Sequence, residues 1–275
     1  MKRYLLIIFL LIVCLTMWGK TDTQQGISDQ ASVKFSQPDK TGLVKVRLMS
    51  GGVTVEGYNG KLVLVEAKIR GKILKRSKKN TKGLRSIKNV NTGLVIEEEN
   101  NIISIRASSF DVASDLSIRV PFATSLKINC YNDGKIKITN VTGELELNNL
   151  NGSIIMTGVS GTVIAKTLNG DVKVKLKNVN PEKPMSFSTM NGDVDVSFPR
   201  NINNNILMKT TFGDIYTDFE IKINKRAQKK VEDNRKAGGK YRISFNQGIS
   251  GKINNGGPEL KFTSHNGDIF VRKSE

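Results

Sequence analysis

Cysteine, histidine and tryptophan are almost missing from this 275-residue chain, which carries two, one and one of them. Cys14 lies in an apolar leader, so Cys130 is the one thiol of the remaining sequence and cannot form an intrachain disulfide. A chain of this length can bury a core without such staples. Cys130 follows Leu126 and Ile128 at period two and reads as a small core residue. The lone His265 gives no basis for a histidine-rich metal site or a catalytic triad. Aromatic residues make up 6%, and Trp18 also sits in the leader, so stacking platforms for bases are lacking and nucleic acid is disfavoured as a partner. Acidic residues are short too, 25 against 43 basic ones, for a formal charge of +18.

The leader itself is informative. Met1-Lys2-Arg3 precedes a run of apolar or neutral residues from Tyr4 to Trp18, shorter than the roughly 20 that span a bilayer. Residues 1–19 therefore read as a signal peptide cleaved near Gly19, and residues 20–30 as a disordered linker. A lipidated Cys14 and an uncleaved membrane anchor stay open as alternatives. The expected location is exported: periplasmic, outer-surface or secreted.

What the sequence has in quantity is glycine at a fixed interval. Gly134, Gly143, Gly152, Gly161 and Gly170 recur every nine residues, each opening a segment that alternates apolar and polar. Val172, Val174 and Leu176 follow Gly170, and Val194, Val196 and Phe198 follow Gly192. Period two places these on one buried face of a strand. The turns alternate as well. Asp133-Gly134, Asn151-Gly152, Asn169-Gly170, Asn191-Gly192 and Asn266-Gly267 form one class, Thr142-Gly143 and Ser160-Gly161 the other. Two units make a rung of 18 residues, lengthening to 22 between Gly170 and Gly192. A short fixed period marks a stacked repeat fold, so the expectation is all-β, a single-stranded parallel β-helix over residues 31–275 with rungs of about 18–22 residues. An antiparallel sandwich also uses Asn-Gly turns but gives no reason for the doubled period. Gly134, Gly143, Gly152, Gly161, Gly170, Gly192, Gly213 and Gly267 are the expected corner glycines, with Val172, Val194 and Ile215 stacked in turn. The closing Arg272-Lys273-Ser274-Glu275 would then charge the open edge of the last rung.

Positive charge gathers in two segments that interrupt the repeat. Lys68 to Lys88 holds ten basic residues and no acidic one, and Lys222 to Arg242 nine against Glu232 and Asp233. Both are read as protruding loops, at 68–90 and 222–242, the second with a short helix around Lys225 to Lys236. Lys75, Arg76, Lys78, Lys79, Lys82 and Arg85, with Lys225, Arg226, Lys229 and Lys230, are the candidate contacts for an anionic polysaccharide or another envelope component. The plainer alternative is surface solubility. End rungs could also join copies of the chain into a homo-oligomer.

Asp171, Asp193 and Asp214 occupy equivalent places in the motif Ser/Thr-x-Asn-Gly-Asp or its Phe212 variant. Stacked about 4.8 Å apart they would repel by roughly 1 kcal/mol in water, so a role is worth seeking. Calcium-binding β-rolls use a double glycine that is absent from these corners. A carboxylate pair for glycan cleavage lacks desolvation and aromatic support, and aspartate at a turn is ordinarily a backbone partner. No cofactor, metal or catalytic residue is expected.

Ser50-Gly-Gly-Val-Thr-Val-Glu-Gly-Tyr58, Arg119-Val-Pro121, Ser197-Phe-Pro199 and the closing stretch Gly251 to Ile269 together resemble a family of exported bacterial domains described as candidate adhesins. The resemblance spans about Ala31 to Lys273. It implies a right-handed β-helix, export, and a non-catalytic surface or scaffold role, with no catalytic residues to carry over. The basic segment from Lys68 to Lys88 and Phe212 depart from the family pattern.

Overall fold

The computed structural model describes residues 28–70, 92–107, 113–224, 229–233, 241–245 and 248–274. The leader, its cleavage site and the first basic segment beyond Arg70 lie outside the described residues. The elements are strands, as the period-two alternation requires. The leading ones are β1 (Ser28–Lys34), β2 (Leu43–Ser50), β3 (Val53–Tyr58), β4 (Leu62–Ile69), β5 (Leu94–Glu99), β6 (Ile102–Ala107) and β7 (Ser114–Pro121). The regular repeat supplies β8 (Ser125–Asn132), β9 (Ile136–Thr139), β10 (Leu145–Asn151), β11 (Ile154–Gly161), β12 (Val163–Asn169), β13 (Val172–Val179), β14 (Met185–Ser188) and β15 (Val194–Phe198). The rest are β16 (Asn204–Lys209), β17 (Ile215–Thr217), β18 (Ile221–Ile223), β19 (Lys229–Asp233), β20 (Tyr241–Phe245), β21 (Ile249–Ile253), β22 (Glu259–Thr263) and β23 (Ile269–Lys273).

Two large sheets form, with strand orders β1-β4-β7-β3-β9-β11-β13-β15-β23-β17 and β18-β21-β16-β22-β14-β12-β10-β8-β2-β6-β5. Successive strands alternate between them through the repeat. Leu145 pairs with Val163 and Ile154 with Val172, one 18-residue period apart, and Val172 with Val194, 22 apart. These central pairs are parallel.

A single parallel β-helix is nevertheless not what the chain builds. Both sheets are mixed: β1, β4, β5, β18 and β21 pair antiparallel. The winding also leaves chain order twice. β2 and β3 slot between β6 with β7 and β8 with β9. At the far end β22 and β23 slot between β14 with β15 and β16 with β17. Val194 therefore meets Ile269, and Ile215 lies one strand further on. The Arg272-Lys273 end sits inside the sheet and not at its open edge. The repeat specifies a rung with matching corners but not which rung it must touch, so order is set by complementary faces. Antiparallel strands at the β1, β5 and β18 ends cover parallel edges against strand addition, whereas β17 ends its sheet parallel to β23. Within the expected helical span around Lys225 to Lys236, the described residues Lys229–Asp233 form β19, paired antiparallel with β20.

The core lies between the two sheets, filled by Val, Ile, Leu, Met and Phe from the inward positions. Its largest group is Phe187, Phe198 and Phe262, with Phe187 and Phe262 stacked at 5.3 Å and Phe198 edge-on to both at 6.1 and 6.0 Å. Cys130 is buried and unpaired, as its spacing predicts, and burial pushes its thiol up to about 12.

Candidate functional site

The corner motif is a self-satisfied structural device. Its first residue turns inward and caps the neighbouring rung: Thr167, Thr189, Ser264 and Thr210 hydroxyls donate to the carbonyls of Gly152, Gly170, Gly192 and Gly267 at 2.7–3.0 Å. Its asparagine faces solvent and joins a ladder of side-chain amides. Asn151, Asn169, Asn191 and Asn266 each donate to the asparagine of the adjacent rung, starting from Asn132, at 2.7–3.1 Å. Glycine is required for two different reasons. Gly192 has φ of 144°, whereas a Cβ on Gly134, which has no positive φ, would lie 1.9 Å from the Gly51 carbonyl oxygen.

The expected aspartate column exists, with Asp268 inserted between Asp193 and Asp214. The backbone N–H of Asp193, Asp268 and Asp214 donates in turn to Asp171, Asp193 and Asp268 at 2.8–3.1 Å. One oxygen of Asp171, Asp193 and Asp268 is thus taken by backbone, while the Asp214 carboxylate accepts from the Tyr216 hydroxyl at 3.4 Å. Burial would raise the Asp171 carboxyl, but the Lys173 ammonium at 2.9 Å and the Asp193 N–H hold it below the usual range. The same ion pair raises Lys173. Among the described residues no group of three or more His, Cys, Asp or Glu is arranged to hold a metal ion. His265 packs edge-on against Phe212, ring centres 5.4 Å apart, at the end of the corner.

Of the candidate anion contacts, Lys75, Arg76, Lys78, Lys79, Lys82, Arg85, Lys225 and Arg226 lie outside the described residues. Lys229 and Lys230 fall in β19, opposite Phe245 and Ser244.

A different set of cations comes together on the outer face of the ten-stranded sheet. Two open clefts of about 700 and 660 Å³ run along it, and both are lined by Ile155, so they form one trough across the strands. Arg70, Lys135 and Lys137 line the first cleft, Lys173, Lys175 and Arg272 the second. Arg70 is held by Asp115, with Nε to Oδ2 at 2.8 Å, and closes one end. Arg272 pairs with Asp195 at 2.9 Å. Lys135, Lys137 and Lys175 are exposed and have no ion pair among the described residues. Just past the second cleft, on β23 and β17 of the same sheet, Tyr216 stacks on Phe270 at 5.1 Å, and the Arg272 guanidinium sits 4.8 Å from the Phe270 ring centre.

Only part of this was readable beforehand. Lys173 and Lys175 follow Gly170 at outward positions, as Lys135 and Lys137 follow Gly134. Their convergence with Arg272 depends on β23 entering the stack beside β15, which no local spacing signals.

The chain matches the family model described as Toastrack DUF4097 over residues 39–272. No curated protein matches it. Among solved structures, a candidate cell adhesion protein from Clostridium sporogenes ATCC 15579 is 12% identical, with a TM-score of 0.44 over 91% of this chain and 100% of that one. A candidate adhesin from Bacteroides fragilis NCTC 9343 is 9% identical, with a TM-score of 0.25 over 90% and 97%. A candidate lipid binding protein from Parabacteroides distasonis ATCC 8503 is 9% identical, with a TM-score of 0.26 over 91% and 98%.

Proposed function

The chain belongs to the Toastrack DUF4097 family, and from that premise we propose that it is a non-catalytic, exported binding module of the cell envelope whose trough takes a linear anionic glycan. The observation that carries this is the set of unpaired cations Lys135, Lys137 and Lys175 along one open trough of a rigid sheet. Cations fixed on strands need little ordering on binding, so their attraction to an anionic chain is not offset by loop entropy. The basic segments around Lys75 to Lys82 and Lys225 to Lys230 add long-range attraction of the same sign. Export rests on the charged, apolar leader. Against glycan cleavage or a calcium role stands the aspartate column, whose carboxylates accept the N–H groups of neighbouring rungs.

Retention on immobilised heparin tests the reading. Replacing Lys135, Lys137 and Lys175 together by Glu should move elution to clearly lower salt, since exposed charge contacts are screened. A parallel variant reversing Lys75, Arg76, Lys78 and Lys79 measures the share of the first basic segment. Unchanged elution of the trough variant would remove the trough as the binding surface.

A further inference from the structure

The order of side chains along the trough narrows the ligand class. Strand register aligns one column as Thr54, Lys137, Ile155, Lys173, Asp195, Phe270 and Tyr216. The next column runs Thr139, Thr157, Lys175, Ser197 and Arg272. Cations therefore stand on β9, β13 and β23, which are every second strand. Two strand spacings are about 9.6 Å, close to the rise of one disaccharide in an extended polysaccharide. The strands between carry an apolar side chain, hydroxyls and one carboxylate: Ile155, Thr157, Ser197 and Asp195. A polymer charged on every sugar would set alternate anions over Ile155 or against Asp195. A polymer charged on every second sugar would not.

The end of the trough is chemically distinct. Phe270 is already engaged by the Tyr216 ring and by the Arg272 guanidinium. Tyr216 has one free face, because β17 is the last strand of its sheet, and it is 48% exposed. Asp214 approaches the Tyr216 hydroxyl at 3.4 Å, and Asp214 and Asp268 both raise the phenol. A flat apolar ring flanked by carboxylates suits a sugar with an apolar face and hydroxyl donors, and repels an anionic one.

We infer that the trough takes an alternating polysaccharide, one anionic sugar per disaccharide, and that Tyr216 stacks an uncharged pyranose at its end. This rests on the glycan-binding reading above and adds the charge period and the end unit to it.

Titration calorimetry of the purified protein with two oligosaccharides of equal length separates the two claims. Hyaluronan oligosaccharide bears one carboxylate per disaccharide, and oligogalacturonate one per sugar. Hyaluronan oligosaccharide should bind about tenfold more tightly despite its lower charge, because like charges at Asp195 penalise its competitor. Tyr216→Ala should weaken it about three- to tenfold, and Tyr216→Phe, which keeps the ring, should not. Equal affinity for the two oligosaccharides, or wild-type binding by Tyr216→Ala, would overturn the inference. If the trough lysine variant still lost binding in that case, the glycan reading would stand without it. Failure of both oligosaccharides to bind would overturn the glycan reading as well.

Discussion

Phe262→Ala is the substitution that best tests whether the C-terminal rung is inserted in the stack. Strand register places Phe262 between Phe187 of β14 and Met208 of β16. Its side chain is 0% exposed, stacked on Phe187 at 5.3 Å and 17°, with Phe198 edge-on at 6.0 Å. Truncating a fully buried phenylalanine costs about 3–5 kcal/mol, from lost transfer energy and the cavity left behind. The two aromatic contacts place this site toward the middle of that range or above. A loss of about 4 kcal/mol lowers Tm by roughly 8–16 °C in a domain of this size. Winding in chain order would instead put Met208 against Phe187 and leave Phe262 on the outermost rung, where truncation costs about 1 kcal/mol or less. Thermal unfolding followed by circular dichroism distinguishes the two. Phe122→Ala, at a site 44% exposed, is the surface standard and should stay within about 0.5 kcal/mol of wild type. A Phe262→Ala shift under about 4 °C would refute the inserted position.

Other consequences are sharper in chemistry than in energy. Cys130, 3% exposed with its thiol pushed up to about 12, should resist a thiol reagent at pH 8 until denaturant is added; labelling of the native protein would contradict the packing. The Asp171 carboxyl is depressed in the fold, so its contribution is present above its unfolded pKa and lost as pH falls through the lower folded value. Asp171→Asn should therefore cost under about 1 kcal/mol at neutral pH. Its difference from wild type should begin to shrink only as pH falls below about 4 and vanish below the depressed folded value, and a difference that stayed constant down through that range would contradict this account. The Asn-Gly bonds at Asn151, Asn169, Asn191 and Asn266 should resist deamidation. Their side chains are in the amide ladder, and the following glycine N–H groups donate to the next rung at 2.7–2.9 Å. Asn59 and Asn255 sit in turns whose glycine N–H bonds only within the turn. With about 1 kcal/mol lost per broken hydrogen bond, mass-spectrometric mapping after alkaline incubation should show the ladder sites reacting more than about tenfold more slowly. Equal rates at all six would sink that protection.

Much of the local architecture was legible because it depends on near neighbours. Gly170 and Gly192 with alternating Val172, Val174, Val194 and Val196 specify strand, corner and inward face within a few residues. Thr167, Asn169 and Asp171 have their roles in the ladder for the same reason: each recurs at the pitch of one rung. The trough was only half legible. Lys137, Lys173 and Lys175 are outward in any strand reading, but charge density in sequence points to the segments around Lys75 and Lys225, and spatial convergence leaves no mark there.

Composition and period by themselves pointed to an all-β chain, its corner residues, and which side of each strand is dry. Tertiary structure alone decided that Ile269 lies between Val194 and Ile215, that antiparallel strands cover the β1, β5 and β18 ends of the sheets, and that Arg272 completes a trough begun at Lys135 with Tyr216 one strand beyond it. The physical reason is that rungs of one pitch have nearly interchangeable edges. Backbone hydrogen bonds accept any of them, so stacking order is settled by side-chain packing such as Phe262 against Phe187, between residues far apart in the chain.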